Sequence, residues 1–451
     1  MSSEVKIPPT IIVIFGVTGD LSHRFLLPAL HQICLARQLP NAHKIIGVTR
    51  QNISFEDLIK ISPSGSKAVE ALNALKNNFE LLTMDLTNSK DYEKLKNHLD
   101  NSCSSLGKNT QVIFHFAVPP KSSLDIIRFL GEAGLNTANI KLLLEKPFGI
   151  DLLSAEDVIS QTAKHFGEEQ IYRIDHYLAK EMAQNITVFL GSNALFRNVW
   201  DNRFIEKINI VATEKIGIEG RVAFYESTGA LRDVVQSHLL QLAALTLMEP
   251  CSDNFSLSEI ADRRLKALQG INQPDLSRVV RGQYEGYKQE AGRPESTRET
   301  FVSLVLTSHD LRWEAVPVQL TTGKSLDKKL TEISVYFKKT QESQTNMLRL
   351  RIQPKEGIEF DLWVKEPGYD RRLQKLPLSF AYEQHFDKLP EAYEQVLVDA
   401  MRGSKNIFAS SEEVLTTWRI LQPLLDHWQS QSNDLRIYKP GSSAQEVEKL
   451  A

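Results

Sequence analysis

Ile11-Ile-Val-Ile-Phe-Gly16-Val-Thr-Gly19-Asp-Leu21, near the start of the chain, is a short apolar run that leads into a Gly-x-x-Gly turn. The run predicts a buried strand, and a helical pattern from Leu26 to Gln38 follows it. Glycines in such a turn let the backbone approach a pyrophosphate, which N–H groups and the positive end of the helix then bind. The motif departs from GxGxxG, so by itself it indicates either a nucleotide site or an ordinary turn.

Apolar runs and helical patterns go on alternating through the first part of the chain. The further runs are Lys44–Val48, Phe79–Leu82, Val112–Phe116 and Ile140–Leu144. Short apolar strands that alternate with helices predict βαβ units and a parallel sheet. Because their connections are nearly always right-handed, we expect a Rossmann-like, doubly wound parallel sheet in an N-terminal domain at residues 1–178.

The pattern changes after about Lys180. Strand-like runs now alternate apolar and polar residues, and turns separate most of them, which predicts an α+β domain with a large, mostly antiparallel sheet plus helices at residues 179–438. Helical patterns occur at Leu231–Met248, Leu257–Leu268 and Pro390–Trp428. We expect a surface loop at Arg281–Arg298 and a C-terminal tail at residues 439–451.

The composition narrows the possible partners. The chain has 451 residues, of which 42% are hydrophobic and 24% charged, and its formal net charge is -3. This ordinary balance gives no sign of nucleic-acid binding. No stretch approaches the ~18 to 20 apolar residues of a membrane helix, and the first residues lack the apolar core of a signal peptide. The three cysteines show no metal-ligand spacing, so we expect a cytoplasmic protein without a metal site or disulfides.

The second predicted strand ends in Thr49 and Arg50. NAD-binding domains usually carry an acid there for the ribose hydroxyls, and a carboxylate would repel a 2′-phosphate, whereas a guanidinium can bind one. Arg50 therefore favours NADP. Without the glycine turn upstream, a solvated loop arginine would be the better interpretation.

Two segments place reactive side chains after predicted strands. Glu145-Lys146-Pro147-Phe-Gly149 follows an apolar run, and ligands bind where parallel strands end, so Lys146 is predicted to face substrate. The bond before Pro147 is expected to be trans by its base rate, although a cis bond would also suit this position. In Asp175-His176-Tyr177-Leu-Ala-Lys180, a helix beginning near Asp175 would align His176 with Lys180 for a phosphate. In isolation, the polar first turn of a helix is the better interpretation of this segment.

A third segment, Leu231-Arg-Asp233-Val-Val-Gln-Ser-His238, places a histidine in a largely apolar helix. An imidazole titrates near neutral pH and suits a general base. A structural histidine is the usual explanation of such a residue, and spacing alone does not decide between the two.

Taken together, these segments resemble the glucose-6-phosphate dehydrogenase family from about Ile11 to Trp428. The matching motifs are Gly16-x-x-Gly19-Asp20-Leu21, Glu145–Gly149, Arg173–Leu178, Arg232-Asp233 with His238–Gln241, Gly323-Lys324 and Trp418-Arg-Ile. The resemblance implies NADP-dependent oxidation of glucose 6-phosphate to 6-phosphoglucono-lactone by hydride transfer from C1, the first step of the oxidative pentose phosphate pathway. It also implies a homodimer or homotetramer.

The resemblance assigns roles residue by residue. It makes His238 the general base, with Asp175 orienting its imidazole. The implied substrate-binding residues are Lys146, His176, Tyr177, Lys180, Glu214, Asp233, Lys324, Lys329 and Gln353. The implied cofactor-binding residues are Gly16, Thr18, Gly19, Asp20, Leu21, Arg50 and Lys146.

Two departures from the family pattern are present, and the one at Phe25 keeps other functions open. Phe25 stands where the family usually has a lysine close to the cofactor and active site, and Ser237 replaces the usual Asn before the histidine. An NADP-binding sensor or pseudoenzyme on the same fold is therefore one alternative, and a dehydrogenase of another hexose or hexose phosphate is another. Retention of the complete reacting set argues against the sensor.

Overall fold

The computed structural model describes residues 7–62, 66–250, 259–339, 344–430 and 434–450. Its strands are β1 (Thr10–Phe15), β2 (His43–Thr49), β3 (Phe79–Thr83), β4 (Gln111–Phe116), β5 (Ile140–Leu144), β6 (Ile171–Ile174), β7 (Ile205–Thr213), β8 (Val280–Tyr284), β9 (Phe301–Leu306), β10 (Val318–Gly323), β11 (Leu330–Phe337), β12 (Met347–Gln353), β13 (Gly357–Lys365), β14 (Leu373–Ala381), β15 (Phe408–Ala409) and β16 (Leu435–Tyr438).

The helices are of three kinds. The α-helices are α1 (Leu27–Leu35), α2 (Phe55–Ile61), α3 (Lys67–Leu75), α4 (Ser89–Leu106), α5 (Pro120–Glu132), α6 (Leu152–Ala163), α7 (Glu181–Ser192), α8 (Ala194–Arg197), α9 (Val222–Ala230), α10 (Leu240–Leu247), α11 (Ile260–Gln269), α12 (Tyr287–Ala291), α13 (Ala392–Arg402), α14 (Ser411–Ser430) and α15 (Ala444–Glu448). Ser22–Leu26 and Leu231–Leu239 are π-helical. Single 3₁₀ turns lie at Lys76–Asn78, Glu168–Gln170, Leu276–Arg278, Leu311–Trp313 and Tyr382–Gln384.

The first compact unit comprises residues 1–149, 153–179 and 390–411. Its described strands form one sheet in the order β15-β6-β5-β4-β1-β2-β3, in which β15 alone runs antiparallel, against β6. The central strands are buried on both faces, as their continuous apolar runs require. The predicted doubly wound parallel sheet is confirmed. Residues 390–411, which the sequence analysis placed in the second domain, lie in this unit because α13 and β15 pack here.

The second unit comprises residues 150–152, 180–389 and 412–451. Its described strands form a sheet in the order β14-β13-β12-β11-β7-β10-β9-β8-β16. Only the β7–β10 and β8–β16 pairs in this sheet are parallel. Alternating burial along β11 and β12 matches a sheet with one covered face. The predicted large, mostly antiparallel sheet with helices is confirmed.

Three local predictions are corrected. The polar segment Arg281–Arg298 is not a surface loop throughout, because it contributes most of β8 and helix α12 to a buried cluster of tyrosines. The predicted tail at 439–451 contains α15, whose Val447 is buried and whose Glu448 accepts hydrogen bonds from Ser303, Gln319 and Thr321. The pattern at Pro390–Trp428 is two helices with β15 between them, and the start of the pattern at Leu257 lies outside the described residues.

Among the described residues, no helix combines the length and the apolar character that crossing a bilayer demands.

Candidate active site

The glycine turn after β1 lies against the end of β2. The backbone N–H groups of Gly16 and Val17 both donate to the carbonyl of Val48 at 3.3 Å, and Gly19 N–H donates to Gly16 O at 2.9 Å. Gly16 has φ +84°, and a Cβ there would lie 2.4 Å from the carbonyl oxygen of Ala117. Only glycine fits this position, and the resulting tight backbone turn suits the close approach of a pyrophosphate.

The rest of the predicted cofactor motif leads into the helix. Thr18 and Leu21 are half-buried, and Asp20 is exposed and forms an ion pair with Arg24 at 3.3 Å. Ser22 anchors the π-helical start of the helix by donating its hydroxyl to Gly16 O at 3.0 Å. The turn therefore passes directly into a helix, and backbone N–H groups at a helix N-terminus favour anions.

Arg50 is the first residue after β2 and is exposed. It lies at the same edge of the sheet as the glycine turn, since Val48 bonds to Gly16 and Thr49 accepts from Met84 N–H at 3.0 Å. Hydrogen bonds from Thr87 hold the pKa of the Asp85 carboxyl below its usual value, and the charge of Arg50 contributes in the same direction. Arg50 thus follows the strand whose end bonds to the glycine turn, and its charge acts on Asp85, which follows β3.

Lys146 follows β5 at the carboxyl edge of the parallel sheet, as predicted. The Lys146–Pro147 bond is cis, which corrects the expectation of a trans bond. Gly149 has φ +94°, and a Cβ there would meet the backbone nitrogen of Ala155 at 2.5 Å. Close backbone packing therefore requires glycine at the end of this segment.

Glu145, which the sequence analysis did not select, sits in a largely buried cluster. Tyr393 donates its hydroxyl to Glu145 Oε1 at 3.1 Å, and His115 Nε2 lies 3.5 Å from the same oxygen. Burial raises the pKa of Glu145 to about 7, against the opposing hydrogen bond from Tyr393 and the charge of Lys146. Burial also lowers the pKa of His115 to about 3. Only the proximity of Glu145 to Lys146 in sequence could have indicated this cluster, since Tyr393 is distant along the chain.

Asp175 follows β6 and lies in a turn. Its side chain accepts from Tyr177 N–H at 3.0 Å, its carbonyl accepts from Leu178 N–H at 3.0 Å, and the residue is buried. The next helix begins at Glu181 with Lys180 at its N-cap, so His176 and Lys180 do not lie one turn apart on a helix. This corrects the conditional prediction, because the Asp175 carboxylate satisfies the turn and delays the helix.

In the second unit, Glu214 and Lys324 meet at one sheet edge. They follow β7 and β10, which run parallel with Thr213 opposite Gly323, so the next residues emerge together. The Lys324 ammonium forms an ion pair with Glu214 and lies 5.3 Å from the centre of the Tyr225 ring. A carboxylate and an aromatic face thus hold this buried ammonium in place.

Lys329 and Gln353 belong to the same edge. Lys329 is exposed and precedes β11, whose Leu330 pairs with Thr213 of β7. Gln353 ends β12 opposite Thr331, to whose hydroxyl its amide donates at 2.9 Å. Four of the residues that the resemblance assigned to substrate binding thus lie at the ends of the neighbouring strands β12, β11, β7 and β10.

Asp233 and His238 lie in the π-helical stretch Leu231–Leu239, which packs against β7 and β10 and continues as α10. His238 is buried and Asp233 is half-buried. In a π-helix the hydrogen bonds join residues five apart, so Asp233 and His238 lie about one turn apart. In an α-helix, with about 3.6 residues per turn, the same spacing would direct them to different sides. The sequence analysis predicted a helix here and did not find this winding.

Among the described residues, no group of three or more His, Cys, Asp or Glu side chains could hold a metal ion.

The chain has a parallel sheet whose first strand ends in a glycine turn. It also has a buried histidine on a helix beside paired acidic and basic groups. This combination is the architecture of a dinucleotide-dependent oxidoreductase. The family model described as "Glucose-6-phosphate dehydrogenase, NAD binding domain" matches residues 13–185, and that of the C-terminal domain of the same family matches residues 187–450. The chain belongs to the glucose-6-phosphate dehydrogenase family. The resemblance seen in the motifs is confirmed.

Individual relatives agree over nearly the whole length. The glucose-6-phosphate 1-dehydrogenase of Dickeya dadantii is 36% identical over 466 aligned positions, covering 96% of this chain and 94% of the relative. A solved structure of glucose-6-phosphate dehydrogenase in complex with glucose 6-phosphate superposes with a TM-score of 0.90 at 29% identity, covering 100% of this chain and 98% of the other. The enzyme from Mycobacterium avium gives a TM-score of 0.85 at 29% identity, covering 98% and 96%.

Proposed function

We propose that the chain oxidises glucose 6-phosphate at C1 to 6-phosphoglucono-lactone with NADP, the first step of the oxidative pentose phosphate pathway. The observation that carries the proposal is the second-unit arrangement, in which Asp233 and His238 lie one turn apart on a helix packed against the strands that end at Glu214 and Lys324. These groups supply a base, carboxylates for sugar hydroxyls and a cation, which are the functions that oxidation of a sugar phosphate requires.

His238 is the general base in this proposal. The C1 hydroxyl is a weak acid, and loss of hydride without a base would develop an unfavourable cationic sugar. A positioned imidazole that accepts the hydroxyl proton typically contributes ~10²- to 10⁴-fold to the rate. Asp175 is proposed to orient the imidazole and stabilise the imidazolium that forms. NADP, when bound, accepts the hydride.

The substrate groups are proposed to bind as follows. His176, Tyr177 and Lys180 bind the phosphate, and Lys324 and Lys329 add positive charge on the same ligand. Glu214 and Asp233 accept from sugar hydroxyls, with Gln353 on the same side. Because Glu214 and Lys324 are paired with each other here, a sugar hydroxyl would join an existing polar pair and would not meet an isolated charge.

The cofactor is proposed to bind on the first unit. Gly16, Thr18, Gly19, Asp20 and Leu21 form the pyrophosphate turn, and Arg50 binds the 2′-phosphate. Lys146 contacts both sugar and cofactor in this proposal. The positive φ of Gly16 and the position of Arg50 at the end of β2 support it.

The decisive experiment follows nicotinamide absorbance after purified protein is mixed with glucose 6-phosphate and NADP. The wild-type chain should reduce NADP, and His238→Asn should lower kcat by at least about 10²-fold while substrate binding persists. Asp175→Asn should also cause a large loss, and the double variant should lose much less than the product of the two, because the pair acts as a unit.

Other results would contradict the assignment. Near-normal turnover in His238→Asn would mean that the base lies elsewhere. NADP binding without any reduction by the wild-type chain would favour the sensor, and faster turnover of a different hexose or hexose phosphate would favour the other dehydrogenase.

We further propose that the chain forms a homodimer or homotetramer in the cytoplasm. The edge strand β14 exposes Leu376 and Leu378, which lie opposite Leu362 and Phe360 of β13 and therefore on one face. An exposed apolar row on an edge strand is a surface that folded proteins usually cover. A second copy of the chain is the occupant that the family resemblance implies.

A further inference from the structure

The start of the helix that carries Asp233 and His238 is held from outside the helix. The first N–H groups of any helix lack partners within it, and no side chain of the helix itself caps Leu231–Leu239. Instead, Ala230 N–H donates to the backbone carbonyl of Glu299 at 3.1 Å, and Leu231 N–H donates to Glu299 Oε1 at 3.2 Å. One residue thus accepts two successive hydrogen bonds at this helix start.

Glu299 is fixed closely in this position. Its side chain is completely buried, and Gly229, two residues before Leu231, has φ +67° and breaks the helical course of α9. A Cβ on Gly229 would lie 2.1 Å from Glu299 Oε1, so the carboxylate occupies the space that a side chain would need. The Arg298 guanidinium lies 3.8 Å from the second carboxylate oxygen. The sharp turn at Gly229 and the Glu299 carboxylate are therefore complementary in shape.

The residue after Glu299 links the same segment to the substrate lysine. Thr300 O accepts from the backbone N–H of Lys324 at 3.0 Å, and Tyr438 donates its hydroxyl to Lys324 O at 2.7 Å. Because Glu299 and Thr300 are adjacent, they set the distance between the start of the helix that carries His238 and the end of β10, which Lys324 follows. If the start of the helix or the end of β10 moved, His238 and Lys324 would bind the same ligand in a different geometry.

We propose that Glu299 is a positioning residue for this reaction, because its two hydrogen bonds set where the helix begins and hence where Asp233 and His238 stand relative to Lys324. The proposal rests on the proposed function of those residues. Glu299 itself touches no reacting atom in this proposal. A carboxylate suits the role because it accepts strongly from N–H groups and is favoured at the positive end of a helix.

The test compares Glu299→Ala, Glu299→Asp and Glu299→Gln with Glu226→Ala. Glu226 is a matched control, since this half-buried acid accepts from the hydroxyls of Tyr287 and Ser296, neither of which belongs to the helix with His238. A misplacement of about 1 Å can cost about a hundredfold in rate, so Glu299→Ala should lower kcat by about tenfold or more. The KM for NADP should not change, and Glu299→Gln should retain most of kcat because its amide oxygen still accepts.

Thermal unfolding measured on the same samples separates positioning from stability. If Glu299→Ala and Glu226→Ala lose similar stability and both keep kcat when fully folded, Glu299 is only structural and the proposal is wrong. If Glu299→Ala does not fold, the kcat values of Glu299→Asp and Glu299→Gln test the proposal instead. The proposal requires the shortened Asp side chain to lower kcat while Gln does not, and equal kcat in both would overturn it.

A double-variant cycle distinguishes this inference from the proposed function. In a His238→Asn background, Glu299→Ala should cause less than about a twofold further loss, because it acts through His238 and its helix. Full additivity would overturn the positioning role. If His238→Asn itself leaves turnover intact, the proposed function fails, whatever Glu299 does.

Discussion

Phe25, the residue that departs most from the family pattern, has a packing role in the structure. Its ring stacks on that of Tyr393 with centroids 5.5 Å apart, and the residue is 45% exposed. Tyr393 in turn donates to Glu145, next to Lys146. The phenyl ring therefore packs on the tyrosine that bonds Glu145, at a position where the family pattern has a lysine.

Phe25→Lys should lower the KM for NADP or for the sugar phosphate, because an added cation raises the local positive potential for anionic ligands. The same variant loses an aromatic pair worth about 0.5 to 1.5 kcal/mol, so its unfolding temperature should fall slightly. Phe25→Leu is the control, since it removes the stack without adding charge. Equal kinetics in the two variants would show that charge at this position does not matter.

Glu145 should make stability depend on pH. Burial raises its pKa from 4.5 to about 7, so between these values the folded chain holds a proton that the unfolded chain releases. The free energy of unfolding should therefore fall as pH rises from about 4.5 to 7, by up to about 3 kcal/mol from this group. Denaturant titrations of Glu145→Gln should show that this part of the dependence has gone.

A second variant tests whether the pKa of Glu145 causes this pH dependence. Tyr393→Phe removes the hydrogen bond that opposes the shift, so the pKa of Glu145 should rise further and the loss of stability should extend to higher pH. An unchanged pH dependence in both variants would show that Glu145 is ionised in the folded chain near neutral pH.

At the scale of elements, the end of β2 should determine cofactor choice. Arg50→Ala should weaken NADP binding by about tenfold to a hundredfold, the range of charge-assisted hydrogen bonds, while NAD kinetics should hardly change. Arg37→Ala is a suitable control, because this arginine of the same unit is also exposed but follows α1. Equal losses for NADP and NAD in Arg50→Ala would contradict the assignment.

The sequence predicts strands and helices well where the hydrophobic residues follow one regular spacing. The strands β1 and β4 are buried throughout, and β2 and β5 are buried except at His43, Lys44 and Lys141, so their apolar pattern needs no tertiary information. The turn at Asp175 includes a hydrogen bond from Tyr177 N–H to the Asp175 carboxylate, and the start of the helix with His238 includes one from Leu231 N–H to Glu299. Periodicity does not encode such contacts, and Glu299 is distant in sequence from the helix that it caps.

The same distinction applies to the candidate site. Positions at the ends of parallel strands are predictable from the sequence, and positions that depend on pairing between distant segments are not. Lys146 and Arg50 were predictable because parallel strands present their carboxyl ends at one edge. Glu214, Lys324, Lys329 and Gln353 came only from the resemblance. The physical reason that they meet is the register of β7 with β10 and β11, and of β11 with β12, which pairs residues far apart along the chain. The Glu145 cluster was missed because Tyr393 returns to the first unit from a late segment.

At the scale of the whole molecule, the exposed face of β13 and β14 should decide the oligomeric state. Leu378 is 66% exposed and Leu376 is 43% exposed on the edge strand, beside Leu362 on the neighbouring strand. If a second copy covers this face, Leu376→Lys with Leu378→Lys should shift the chain to monomer in light scattering at micromolar concentration, because each new ammonium would be buried without a partner. Leu311→Lys is the control, since Leu311 is 79% exposed in a 3₁₀ turn outside this face. A wild-type chain that is already monomeric, or a double variant that stays associated, would show that this face is not the interface.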